Sequence, residues 1–471
     1  MFIGRESEIN KLRTAYRSTD SKFIAIYGRR RIGKTSLVRE AFPNEIAFSY
    51  SGMPNVSTRT QLHSFYNALK RQGLEPSAQP QNWIDAFSLL ADLIEKYPEG
   101  KKVVFLDELP WMDAPRSSFL SAFEQFWNGW ASARKDILLV ICGSATSWMV
   151  KKVFKNRGGL HNRLSDKICL LPFTLKECER FSMEQKLRYN RDMIMETYMV
   201  FGGVPYYWSL LESGLSMSQN IDNLFFKRGA ILENEFEELY RSIFKNPVPY
   251  MNIIIALGKK KVGMAREEII KTAKLTDNGK LSDCLEELNA CGFIRKYNSL
   301  GSKKKNTVYQ LIDNFTLFYL RFISDKNITD ENFWSKSQRT PAYHNWSGLA
   351  FERVCLHHIR QIKQALGISG IISNEYAWRA APYADLPGVE IDLLIDRADN
   401  VLNLCEMKYT KGKFTIDKKY SDILNNKIQR LYDESKTHNA IFLTMISANG
   451  LTDNAYANDV SCVITADDLF S

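Results

Sequence analysis

The stretch that most constrains this chain is Gly28-Arg29-Arg30-Arg31-Ile32-Gly33-Lys34-Thr35, which satisfies G-x-x-x-x-G-K-[ST]. It lies between an apolar run, Lys22 to Tyr27, that reads as a strand and a helical pattern through Ser36 to Glu40. The motif depends on that context. Its glycines let successive backbone N–H groups converge on an anion, and the positive end of the following helix adds to the attraction. A strand feeding such a loop and helix predicts a parallel sheet wrapped by helices. Lys34 is then expected to reach the β and γ phosphates of ATP and Thr35 to ligate Mg²⁺, with Arg29, Arg30, Arg31, Ile32 and Ser36 as further nucleotide contacts.

The surrounding sequence agrees. Ile46 to Ser49, Lys102 to Leu106 and Ile137 to Cys142 are short apolar runs, and Leu12 and Leu62 to Leu69 lie in amphipathic helical patterns. Val103 to Glu108 is an apolar strand ending in two acids, which predicts Asp107 near the magnesium and Glu108 where it polarises an attacking water. The pair implies hydrolysis rather than binding alone, the plainer reading being two acids that begin a helix. Ser144, after the strand Ile137 to Cys142, is placed either to feel the γ-phosphate or to cap a helix.

A chain of 471 residues exceeds a single core and suggests roughly three or four units. Its 45% hydrophobic and 25% charged residues are those of an average globular protein and exclude a disordered or fibrous class. Ile137 to Gly143, the most apolar stretch, is far shorter than the ~20 residues that span a bilayer. The segment Met1 to Glu6 lacks a basic region followed by an apolar core, so a cytoplasmic location is expected. The eight cysteines are scattered without a Cys-x-x-Cys pair, which argues against a zinc knuckle or a disulfide framework. A net charge of +10 makes nucleic acid, DNA more than RNA, a candidate partner.

These signals predict a multidomain α/β protein. Residues 1–171 read as a P-loop NTPase core and 172–247 as a helical lid interrupted at Gly202-Gly203-Val204-Pro205. Residues 248–325 read as a winged helix-turn-helix, and 326–471 as a further α/β domain set off by a polar stretch from Ser324 to Asn345. Gly279 to Ala290 would be the recognition helix, with Lys280 and Ser282 near its start. Arg295 to Tyr309 would be the wing, whose tip carries Lys303, Lys304 and Lys305. Such modules serve protein contact as often as DNA binding, and both readings stand.

In the last domain Glu352 falls in a helix from Leu349 to Ile362, Asp392 in a strand from Val389 to Ile395, and Glu406-Met407-Lys408 at the end of a strand from Val401. Residues two apart on a strand share a face, so Glu406 and Lys408 are expected to point together toward Asp392. This order resembles a PD-(D/E)xK nuclease centre. The resemblance implies Glu352, Asp392 and Glu406 as metal ligands and Glu406 and Lys408 as catalytic groups, the metal lowering the pKa of a bound water. Glu390-Ile391 stands before Asp392 where that pattern has a proline. Lys411, Lys413, Lys418, Lys419, Lys427 and Arg430 would make the neighbourhood basic, as a surface for a phosphodiester backbone should be. The alternative is a set of exposed charges, or an inactive domain that only binds.

As a whole the chain resembles the archaeal-type ATPases within the AAA+ and STAND group. The resemblance rests on Phe2-Ile3-Gly4-Arg5-Glu6, the two nucleotide motifs, Cys142-Gly143-Ser144 and Gly203-Val204-Pro205. It implies that Gly4, Arg5 and Pro205 pack on the adenine and that a restriction-nuclease-like domain follows a winged helix. His161-Asn162-Arg163-Leu164 resembles the family's arginine after the sensor strand, which implies Arg163 as an arginine finger. Arg157 competes for that role, a solvated basic face is the other reading, and a finger supplied by a second copy in a homo-oligomer stays open.

Overall fold

The computed structural model describes residues 2–471 apart from 76–77, 145–147, 155–157, 161, 299, 301–306, 325–327, 384–386 and 436. The chain divides into two compact units, Met1–Leu171 and Pro172–Ser471.

In the first unit the order is α1 (Glu6–Tyr16), β1 (Lys22–Gly28), α2 (Lys34–Ala41), β2 (Ile46–Ser51), α3 (Thr58–Arg71), α4 (Trp83–Glu95), β3 (Lys102–Asp107), α5 (Phe119–Gly129), β4 (Ile137–Ser144) and β5 (Asp166–Leu170). The strands form one parallel sheet in the order β2-β3-β4-β1-β5. Every residue of β3 and β4 is buried, as a sheet covered on both faces requires. One face packs Phe48, Phe65, Trp83, Phe119 and Phe123 beneath α3, α4 and α5, and the other packs Leu12, Leu37, Val38 and Phe42 from α1 and α2. All five strands run the same way, so Gly28, Ser51, Asp107, Ser144 and Leu170 end on one edge. Strand β5 has no counterpart among the apolar runs read from the sequence. It is an edge strand in which Ile168 and Leu170 alone are buried, too few apolar positions to stand out.

The second unit opens with helices only, α6 (Leu175–Glu184), α7 (Arg191–Phe201), α8 (Pro205–Ser209), α9 (Met217–Ile221) and α10 (Glu235–Ile243). Next come α11 (Val248–Gly258), β6 (Met264–Ala265), α12 (Arg266–Ala273), α13 (Gly279–Ala290), β7 (Ile294–Tyr297) and β8 (Val308–Leu311), whose strands pair antiparallel in the order β6-β8-β7. Helices α14 (Asn314–Phe322), α15 (Phe333–Ser337), α16 (Pro341–His357) and α17 (Ile359–Ala365) lead into β9 (Ser373–Ala380), β10 (Val389–Arg397), β11 (Val401–Lys408), α18 (Lys418–Ser435), β12 (Ala440–Ser447), β13 (Cys462–Ile464) and α19 (Ala466–Leu469). These last strands form a mixed sheet, β13-β12-β11-β10-β9.

The stretch expected to be a polar separator is a packed part of this unit. Trp334 and Tyr343 are 1% exposed. The Trp334 ring meets Phe318, Phe322 and Trp346 at centroid distances of 5.0, 5.1 and 5.2 Å. Asp222 caps α15 by accepting from the Trp334 and Ser335 amides. Few large rings among many polar residues suffice here, because each ring buries more area than several aliphatic side chains.

Candidate functional site

The ends of β1, β3 and β4 assemble the first candidate site. Gly28 has φ 153°, and a Cβ there would stand 2.3 Å from the Leu170 carbonyl oxygen; Gly33, at φ 87°, caps α2. Between them the loop turns back so that Lys34 is buried, its Nζ donating to Arg29 O at 3.0 Å and Gly28 O at 3.4 Å. Thr35 Oγ1 donates to Asp107 Oδ2 at 2.6 Å, and Asp107 Oδ1 accepts the Glu108 amide at 2.9 Å. Glu108 sits at φ 47°, which turns it out of the strand line. Burial pushes its carboxyl above the ordinary value, with Lys34 pulling down and Asp107 pushing up.

Other predicted residues sort by position. Ser144 is buried and paired in register with Gly28. Arg29 and Ile32 are buried, Arg30 and Arg31 partly exposed, and Ser36 faces solvent. Gly4 and Arg5 both have positive φ, and Arg5 Nη2 donates to Leu171 O at 2.6 Å, bringing the first turn to the strand-end edge beside β1. Arg163 is exposed and precedes β5, so it lies at the sheet edge opposite the Gly28 to Thr35 loop and does not face that loop in its own chain. Pro205 belongs to the second unit, where it starts α8. Arg157 and His161 lie outside the described residues.

Gln61 was not anticipated. Fully buried on α3, it donates to Trp111 O at 2.7 Å and Met53 O at 2.9 Å and accepts from Tyr50 Oη at 2.8 Å, tying the turn after Glu108 to the helix. Its signal was a polar residue one turn before Phe65 on the apolar stripe of that helix.

The second candidate site lies in the second unit. Glu352 is on α16, Asp392 on β10, and Glu406 and Lys408 end β11. The carboxylates are divided between two sets of cations. Lys261 Nζ, from the turn between α11 and β6, stands 2.9 Å from Glu352 Oε1 and 3.4 Å from Asp392 Oδ2. Glu406 instead accepts from Tyr420 Oη at 2.6 Å and Lys427 Nζ at 2.7 Å, with Lys408 Nζ at 3.3 Å. Among the described residues no group of three or more His, Cys, Asp or Glu side chains is arranged to hold a metal ion. Glu406 and Lys408 do share a face, but it is that of Leu402 and Leu404 beneath α18. Around Asp392 the β9–β10 register shifts between Ile391 and Leu394, a bulge that re-aims the side chain.

Burial and neighbouring charge together set the titration of both acids. Burial and the Asp392 carboxylate, working against Lys261, push Glu352 up to about 7. Burial works against the Glu406 carboxylate too, yet Lys427 and Lys408 hold it below the ordinary value. For Lys261, burial opposes the ammonium, and Asp392 and Glu352 together hold it above its usual value.

The basic surface is smaller than the sequence suggests. Lys427 is committed to Glu406, and Arg430 is buried, donating to Pro387 O and Ala381 O, which leaves Lys411, Lys413, Lys418 and Lys419 exposed. On α13, Lys280 and Ser282 are exposed, but the helix also carries Asp283, Glu286 and Glu287, and Lys296 is paired to Glu286 at 2.9 Å. The wing-tip residues Lys303, Lys304 and Lys305 lie outside the described residues. All eight cysteines are free, and no helix among the described residues is long and apolar enough to cross a membrane.

Residues 2–211 match the family described as an ATPase domain predominantly from Archaea. An uncharacterized protein of Methanocaldococcus jannaschii is 25% identical over 371 residues, covering 77% of this chain and 78% of that one. Among solved structures, a Walker-type ATPase of Pyrococcus abyssi matches with 18% identity and a TM-score of 0.46, over 68% of this chain and 96% of its own. The ORC2 protein of Aeropyrum pernix matches with 14% identity and a TM-score of 0.39, over 67% and 92%.

Proposed function

We propose, from the premise that residues 2–211 form an ATPase domain of the archaeal type, that this chain is an ATP-binding and ATP-hydrolysing switch. Its nucleotide state would control a nuclease-like part acting on nucleic acid. The observation that carries the first half is the 2.6 Å bond between Thr35 and Asp107 at the mouth of a loop whose glycines and buried Lys34 are shaped for phosphate. A hydroxyl and a carboxylate oxygen are the donors a hard cation takes, so Thr35 and Asp107 fit Mg²⁺. When bound, that ion supplies charge screening for the phosphates.

The chain's own residues do the rest. Backbone N–H groups from Gly28 to Thr35 orient the phosphates, and Lys34 exchanges two neutral carbonyl partners for phosphate oxygens. Glu108 polarises water and accepts its proton, a task that burial favours by raising its proton affinity. Ser144, beside Gly28, is placed to sense the terminal phosphate. Phosphate release should fall steeply in Lys34→Ala, while Glu108→Gln should bind ATP and fail to turn it over. Hydrolysis at the parent rate in Glu108→Gln would refute the assignment of the base.

Support for the nuclease-like half is the order Glu352, Asp392, Glu406, Lys408 on a helix and two adjacent strands. As arranged, with Lys261 on two of the carboxylates and Lys427 on the third, these acids do not fit a metal ion, and no cleavage step is drawn through one. The test is incubation with supercoiled, linear and single-stranded DNA and Mg²⁺ or Mn²⁺, with and without ATP, alongside Lys34→Ala and Asp392→Ala. Cutting lost in Asp392→Ala establishes the nuclease. Intact DNA throughout, with ATP still hydrolysed, establishes the second reading, a regulatory ATPase whose C-terminal part only binds partners. Asp283 and the exposed Glu286 on α13 favour that reading, because acids on the expected recognition helix disfavour a phosphate backbone.

A further inference from the structure

Lys261 is not a stray surface lysine. Its backbone oxygen accepts from Gln310 Nε2 of β8 at 2.8 Å and from Arg353 Nη2 of α16 at 2.7 Å, so the residue is gripped by its main chain while its ammonium reaches both carboxylates. Arg295 of β7, in the same small sheet, donates through Nε to Gln310 Oε1 at 2.6 Å and through Nη2 to Asp392 O at 3.1 Å. The three-stranded module thus holds the acidic pair through a side chain and the strand beneath it through a backbone contact. Glu352 Oε2 accepts no hydrogen bond among the described residues, with the Arg353 guanidinium 3.9 Å away. One ammonium cannot saturate two buried carboxylates, and the pair keeps unused capacity for a more highly charged ion.

We propose that Lys261 is an internal cation that stands where a divalent metal would bind Glu352 and Asp392, so that the β6–β8 module keeps this centre closed until the turn carrying Lys261 is withdrawn. The inference rests on the nuclease-like reading of those two acids. A like charge already seated between the carboxylates repels an incoming cation and occupies two of its oxygens; when the ammonium leaves, both oxygens are freed and only the Arg353 guanidinium, 3.9 Å from Glu352, stays nearby. Because the Lys261 main chain is bonded to β8 and α16, the turn that presents its ammonium leaves only if the module shifts relative to α16. This places control of the centre in the segment between the helical region and the last sheet.

The test is Mn²⁺ binding by the full-length protein, followed by electron paramagnetic resonance with excess ATP-site metal accounted for in an Asp107→Asn background. In that background the Lys261→Met chain should bind Mn²⁺ at the second site at least tenfold more tightly than the Lys261 chain. The gain should disappear in Lys261→Met/Asp392→Asn, and Lys261→Arg, which keeps a cation, should stay weak. Lys261→Gln, read with a thermal melt, substitutes if the methionine variant does not fold. Equal Mn²⁺ affinity with and without Lys261, lost on Asp392→Asn, overturns the gate and leaves the metal centre standing. Absence of Asp392-dependent binding in every variant overturns both.

Discussion

The two candidate sites differ in what their lysines touch. In the first unit Lys34 donates to two backbone carbonyls of its own loop, neutral partners only six and five residues away. In the second unit Lys261 and Lys427 stand on carboxylates supplied by distant segments. Bonds to neutral carbonyls exchange readily for bonds to phosphate, since the incoming groups are charged and the loop keeps its shape. Buried ion pairs resist exchange, because removing one partner strands the other charge in a poorly solvated place. On the function proposed, the first site would receive its ligand directly and the second would need a rearrangement first.

The largest test of this contrast concerns what holds the second unit together. Trp334→Ala should lower the stability of that unit by ~3–5 kcal/mol, the cost of emptying a large aromatic site. In denaturant melts followed unit by unit, an unchanged second transition would show that the 333–357 helices are not part of its core. Next in size, Lys34→Ala should slow ATP hydrolysis by ~10²–10³-fold, the usual loss when a charged donor to a transition state is removed. Steady-state phosphate release measures it, and a loss under tenfold would put the nucleotide site elsewhere.

Acid provides a third probe, through His358. Its Nε2 accepts the Leu175 amide at 2.9 Å, so Nδ1 carries the proton and donates to Val354 O at 2.8 Å, and burial pushes the imidazole down to about 4 from 6.5. Between those values the unfolded chain takes up a proton that the fold refuses. The stabilisation is complete above pH 6.5 and is lost as pH falls toward 4, by up to about 3 kcal/mol. Glu352, raised to about 7, acts with the opposite sign, so the effect is read as the difference between the parent and His358→Gln, whose amide oxygen accepts without titrating. A difference independent of pH would refute it. The smallest effect lies in the first unit, where Asn82→Ala removes the cap that accepts the Asp85 amide at 3.0 Å and should cost ~1 kcal/mol in chemical denaturation, with ATP turnover retained.

Much of the first unit could be read directly. Four of its five strands stand out as apolar runs, and Asp107 and Thr35 meet as their motifs imply. Strand β5 escaped because two buried residues make no pattern, and with it went the position of Arg163, which depends on which end of that strand it precedes. In the second unit α13 and β11 fall on the residues expected, whereas the Ser324 to Asn345 stretch, read as a polar separator, buries Trp334 and Tyr343.

The amino-acid sequence alone determined the Gly28 to Thr35 loop, because its form is set by the backbone of one continuous stretch whose glycines, lysine and threonine have fixed spacing. It also determined that Glu406 and Lys408 share a face near the end of β11, because strand geometry has a period of two. Tertiary structure alone decided their partners. Lys261 meets Asp392 across 130 intervening residues, Tyr420 and Lys427 turn Glu406 toward α18, and a bulge interrupts the strand at Asp392. Ion pairs between distant segments leave no local pattern, since any lysine on the surface of a basic chain reads alike until packing brings one of them to a carboxylate.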